Sequence, residues 1–225
     1  MVQFYLIPSW FFEFGLVLEL IFGFITLAVS LYSFKVYKYS KIRACYLFGW
    51  AFFAFSLSYF SWAAVSWYVP ILVGKSFEGV FYFSSISSFV LLGVYFHMTL
   101  FLLGVITLAY MTLGVKSNRV YTLVASLALI AVLFSGNKLV SFYFVSSLLL
   151  LYVLFYQTVL KRNNYSLGNV LVFVAFVFLF LGTIDFTFSA VHHINYVVGH
   201  IFYLIGYLFL LANFVLMFFR LRKNE

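Results

Sequence analysis

The sequence predicts an all-α polytopic membrane protein, a single domain of seven transmembrane helices with its N-terminus outside and its C-terminus in the cytoplasm. Three observations predict this class. First, 66% of the 225 residues are hydrophobic and only 8% are charged, against about 25% charged in an ordinary soluble domain. Five acids and thirteen bases cannot cover a water-facing surface, so lipid must be the solvent for most of the chain. Second, apolar runs near the spanning length of about twenty residues recur with polar breaks between them. Third, the basic residues fall in alternate breaks, the pattern of a chain that crosses a membrane repeatedly.

Taken in order, the first run extends from Phe11 to Tyr32 and ends in the basic connector KVYKYSKIR. The second, Cys45 to Tyr68, is closed by Pro70 and a polar loop holding Lys75 and Glu78. Phe81 to Thr112 is long enough to open as an interfacial piece and to span from Phe89. Val120 to Phe134 is short and turns at Ser135-Gly136-Asn137-Lys138 into the fifth run, Leu139 to Leu160. After Lys161-Arg162-Asn163-Asn164 come the sixth, Leu167 to Val191, and the seventh, Val197 to Phe219. Glycines recur within the runs, where small residues let helix backbones approach closely in lipid.

Charge sets the expected orientation. Lys35, Lys38, Lys41, Arg43, Lys116, Arg119, Lys161, Arg162, Arg220, Arg222 and Lys223 all lie in alternate connectors or the tail, and only Lys75 and Lys138 lie on the other side. Positive residues stay inside, so the N-terminus is placed outside the plasma membrane. The same distribution excludes a nucleic-acid partner despite the net charge of +8, because such a binder clusters its bases on one soluble face. The lone Cys45 excludes an intrachain disulfide or a multi-cysteine metal site. The N-terminal MVQFYLIPSWFFE lacks the basic n-region and cleavage site of a signal peptide, so the first helix is expected to be retained.

An ionisable side chain in the bilayer costs about 2.5–3.5 kcal/mol on insertion scales, so each needs a reason. Glu13, Glu19, His97, Asp185, His192, His193 and His200 all fall in the outward half or at the outer interface. The stretch GTIDFTFSAVHHINYVVGH, Gly182 to His200, holds the only aspartate and three of the four histidines. At about 100° per residue, Gly182, Asp185, Ser189, His192 and His193 share one arc, and His200, Tyr203 and Tyr207 share another. Glu13 and Glu19 diverge by about 120° and do not serve one point.

His97, Asp185, His192, His193 and His200 are therefore candidate metal ligands, imidazoles with a carboxylate suiting zinc or copper. His97 and His200, with Tyr203 and Tyr207, are alternatively a candidate haem b site. A titrating Asp–His hydrogen-bond network is the third reading, and interfacial histidines wetted from outside are the plain one. No lysine lies in the seventh run, which excludes a retinal Schiff base, and no H-E-x-x-H occurs, which excludes a zincin site. Seven-helix hydrolases of the alkaline-ceramidase and progestin-receptor type resemble this chain in helix count and His–Asp–Ser content, but their late H-x-x-x-H pair is missing.

Tyr32 to Leu57, YSFKVYKYSKIRACYLFGWAFFAFSL, with Val198-Gly199-His200 and Leu204-Ile205-Gly206-Tyr207-Leu208, resembles uncharacterised archaeal seven-helix membrane proteins and the seven-helix sensory heads of some signalling proteins. The resemblance implies a sensory or ligand-binding module. Only a few residues follow Phe219, so any output is expected to pass through a membrane or cytoplasmic protein partner. The leading expectation is a non-enzymatic protein with an outward polar site for a metal, haem or small ligand, in a sensory or accessory-subunit role. A metal-dependent hydrolase of lipid-like substrates and a structural subunit of a larger complex are the alternatives.

Overall fold

Where water is absent, every backbone N–H and C=O must be paired within the protein, and the α-helix does so within a single segment. The computed structural model describes residues 7–73, 80–81, 88–160 and 167–223, with side chains over 10–68, 90–158 and 167–216. Among the described residues there are seven α-helices: α1 (Phe12–Ser40), α2 (Arg43–Val73), α3 (Ser88–Leu113), α4 (Asn118–Leu133), α5 (Lys138–Leu160), α6 (Leu167–Phe188) and α7 (Ile194–Lys223). Six are long and apolar enough to cross a membrane, and α4 is the short exception. Its sixteen residues reach about 24 Å, less than the roughly 30 Å of a hydrocarbon core. Two short strands, β1 (Ile7–Pro8) and β2 (Val80–Phe81), pair antiparallel.

Polar contacts between helices set the register. From α2 to α1, Ser56 Oγ donates to Gly23 O at 3.0 Å and Ser66 Oγ to Glu19 Oε2 at 3.1 Å. In the other direction Ser30 Oγ donates to Gly49 O at 2.8 Å, so the pair runs antiparallel. Helices α2 and α3 are likewise antiparallel, tied at one end through Arg43 and Val115 and nearer the other through Ser58 and His97. Ring pairs Phe11–His200, Phe22–Tyr207 and Tyr32–Phe214, at 5.3, 5.1 and 4.7 Å, lay α7 parallel to α1.

Helices α6 and α7 meet most closely through glycine. A Cβ on Gly182 would stand 2.5 Å from the Tyr203 ring and 2.9 Å from Gly199 O. Bare backbone there lets the two helices touch, the packing mode that substitutes for water exclusion in lipid.

Several expected boundaries are corrected. Helix α1 continues past Tyr32 through most of the basic connector to Ser40, and ends where Lys41 adopts φ 56° and its N–H bonds Tyr37 O. The apolar run marks the lipid boundary, whereas a helix ends where its backbone finds a cap. Pro70 does not close α2, which runs through it to Val73; membrane helices tolerate proline when neighbours satisfy the freed carbonyl. Helix α6 ends at Phe188 rather than Val191, and α7 begins at Ile194. The expected loop carrying Lys75 and Glu78 and the connector at 161–164 lie outside the described residues.

Candidate functional site

Three of the costly ionisable side chains meet inside the bundle, and they come from three different helices. Glu19 of α1, His97 of α3 and His200 of α7 all line one small cavity of about 20 Å³. The sites lie about two turns from one end of their helices, the end opposite Lys41, Arg43, Lys116 and Arg119. The other walls are aromatic: Phe22, Tyr59, Trp62, Phe101, Tyr143, Phe186, Tyr196 and Tyr203. Every lining residue is buried.

Each polar group is held by a neighbour. His97 Nδ1 lies 2.8 Å from Ser58 Oγ and 3.0 Å from Ser58 O, while Ser58 Oγ donates back to His97 O at 3.1 Å. His200 Nδ1 lies 2.9 Å from Tyr196 O. A carbonyl oxygen only accepts, so Nδ1 is the protonated nitrogen in both rings and Nε2 is the position left for another partner. The Glu19 carboxyl takes hydrogen bonds from Ser66 Oγ, at 3.1 Å, and from the Trp62 indole.

Aromatic packing fixes the ring planes. The His97 ring sits 4.9 Å from Trp62, and His200 lies 5.0 Å from Phe186 at 90° and 4.5 Å from Tyr196. Tyr203 donates or accepts at Thr183 Oγ1 across 3.3 Å. Tyr207 is one layer away from the cavity, joined to Tyr59 by a 2.6 Å hydroxyl pair.

The predicted residues therefore separate. His97, His200 and Tyr203 are brought together, with Tyr207 behind them. Asp185, His192 and His193 are not. Asp185 is half-buried on α6 and meets no hydrogen-bond or ion-pair partner among the described residues. His192 and His193 are exposed on the α6–α7 turn. Helical phase placed them on the Asp185 arc, but phase ends with the helix, and α6 stops at Phe188. Glu13 is exposed in the first turn of α1, as its divergence from Glu19 requires.

Helix α2 supplied what sequence reasoning missed: Ser58, Tyr59, Trp62 and Ser66. At about 100° per residue these four, with Phe55, fall within one 100° arc. That stripe of hydroxyls and an indole along one face of α2 was the signal.

The arrangement limits the chemistry. Among the described residues no group of three or more His, Cys, Asp or Glu is disposed to hold a metal ion. A space of about 20 Å³ suits one water-sized molecule, and a haem macrocycle does not fit it as packed. The cavity therefore brings two imidazoles and a carboxyl together within a wall of aromatic rings. In comparisons with known proteins, no family model, no curated protein and no solved structure matches the chain.

Proposed function

We propose that this is a non-enzymatic, seven-span protein of the plasma membrane, N-terminus outside, whose internal cavity takes one small electron-poor guest in a sensory or accessory-subunit role. The observation that carries the reading is the convergence of Glu19, His97 and His200 on one buried cavity. Each would be costly to place in lipid alone, and three on separate helices at one point indicate a shared purpose. The donor set selects the guest: lone pairs at the two Nε2 atoms, a carboxyl and aromatic faces favour a small cation or hydrogen-bond donor. Zinc, copper and ammonium are the probes of that class, a metal ion requiring the three side chains to draw inward.

A guest there touches α1, α3 and α7 together, so binding changes how three helices pack. That supports a sensory or accessory role, as does the resemblance carried by Tyr32 to Leu57. The orientation is supported by the basic residues at one end of the helices. No observation favours the hydrolase alternative, which needs three protein ligands around zinc and an open position.

The test is calorimetric titration of the detergent-purified protein with zinc, copper(II) and ammonium chlorides, alongside elemental analysis and an absorption spectrum. One probe should bind at one equivalent, and Glu19→Gln and His200→Gln should each weaken it at least tenfold without loss of helix content. Folded wild-type protein that binds none of the three sinks the proposal.

A further inference from the structure

A second concavity lies on the outside of the bundle, independent of the cavity. It is a groove of about 530 Å³ between α2, α3 and α4, within the range of about 300–1,000 Å³ of small-molecule sites. Its floor on α2 is a stripe from Arg43 through Leu47, Trp50 and Ala54 to Leu57, the three- and four-residue spacing of one helix face. Those fourteen steps run about 21 Å, enough for the roughly 15 Å of one lipid leaflet with a headgroup beyond it.

The groove changes character along its length. The far part is apolar, walled by Leu57, Leu100 and Leu103; the near part gathers Arg43, Tyr110, Asn118 and Tyr121. Arg43 Nη1 donates to Val115 O at 3.2 Å and Nη2 to Tyr110 Oη at 2.9 Å, with the guanidinium 5.5 Å over the Tyr110 ring. A guanidinium has five N–H donors in a fixed fork, so three are left after these two bonds hold it in place. Lys116 and Arg119, next in sequence to Val115 and Asn118, are exposed on the α3–α4 connection and α4. The first turns of α2 and α4 both begin here, adding the positive ends of two helix dipoles. Among the described residues no carboxylate lines the groove.

We propose that this groove is a binding site for one anionic phospholipid, the phosphate on Arg43 and an acyl chain along the α2–α3 trough. Basic pockets between helices at the cytoplasmic face recognise lipid phosphate in this way, and guanidinium pairs with phosphate through two parallel hydrogen bonds. A zwitterionic lipid supplies the chain but adds a cation beside Lys116 and Arg119, so the site discriminates by charge.

Native mass spectrometry of the full chain, equilibrated in mild detergent with equal phosphatidylglycerol and phosphatidylcholine of matched chains, tests the proposal. One phosphatidylglycerol should be retained at least tenfold over phosphatidylcholine. Arg43→Gln should remove that preference, and Ala54→Trp, which fills the trough and leaves Arg43 in place, should remove retention of either lipid. Since Arg43 also ties α2 to α3, Ala54→Trp decides the matter alone if Arg43→Gln unfolds. Equal retention of the two lipids by wild type, undiminished retention by Ala54→Trp, or displacement by glycerol phosphate at equal concentration would each overturn it.

Discussion

At Gly182 a single hydrogen atom separates two helices. Leucine there would drive its Cβ toward the Tyr203 ring and Gly199 O, and backbone on one side leaves little room to yield. Overpacking of this kind costs about 1–3 kcal/mol, so Gly182→Leu is expected to lower the thermal midpoint in detergent by several degrees. Leu181→Ala, at a position exposed to lipid, should leave it nearly unchanged. Equal midpoints for Gly182→Leu and wild type would show that α6 and α7 do not rely on this contact. At the same scale, His97 and His200 were legible in the sequence because an imidazole in an apolar run has few harmless explanations. Glu19 was legible as an ionisable group but not as a partner of the histidines. Tyr59 and Trp62 were legible only through the stripe they share with Ser58 and Ser66, since taken singly aromatic residues are the commonest filling of such a helix and look the same facing lipid or a cavity. Asp185 shows the reverse: a charged residue drew attention, yet its half-buried place near a helix end leaves it outside the site.

The helices differ in how firmly they are held. In α4 only Ala125 and Val132 are buried, while Leu123, Leu127 and Ile130 are exposed. Its ties to α3 are at its first turn, where Tyr121 Oη lies 3.2 Å from Thr107 Oγ1 and its ring 5.3 Å from Tyr110. Helix α2, by contrast, buries Ala51, Phe52, Phe55, Tyr59, Trp62 and Val65. Local opening follows such differences in burial. Hydrogen exchange in nanodiscs should therefore find α4 amides exchanging at least tenfold faster than those in the middle of α2, and equal protection would contradict this ordering. The existence of the long helices was readable because twenty apolar residues in a row have one outcome in lipid. Their ends were not, because Lys35 and Lys38 continue α1 beyond the apolar run, long basic side chains reaching the headgroups while their backbone stays helical.

Across the whole molecule, the alternation of basic and neutral connectors implies a sidedness that chemistry can read. In a Cys45→Ser background, Lys138→Cys should react with a membrane-impermeant maleimide in intact cells, and Lys116→Cys only after permeabilisation. The opposite pattern would invert the proposed orientation. The outer surface carries many large apolar side chains, Phe14, Phe24, Phe155 and Phe188 among them, which is the ordinary exterior of a bundle whose solvent is lipid rather than water. The tryptophans divide along the same line: Trp10, Trp50 and Trp67 are 60%, 46% and 68% exposed, and Trp62 is 5% exposed against the cavity wall. With the other three changed to phenylalanine, the emission of this one indole becomes an optical gauge of its own surroundings. Its colour and lifetime would then register a guest arriving beside Glu19 in real time, without any attached dye.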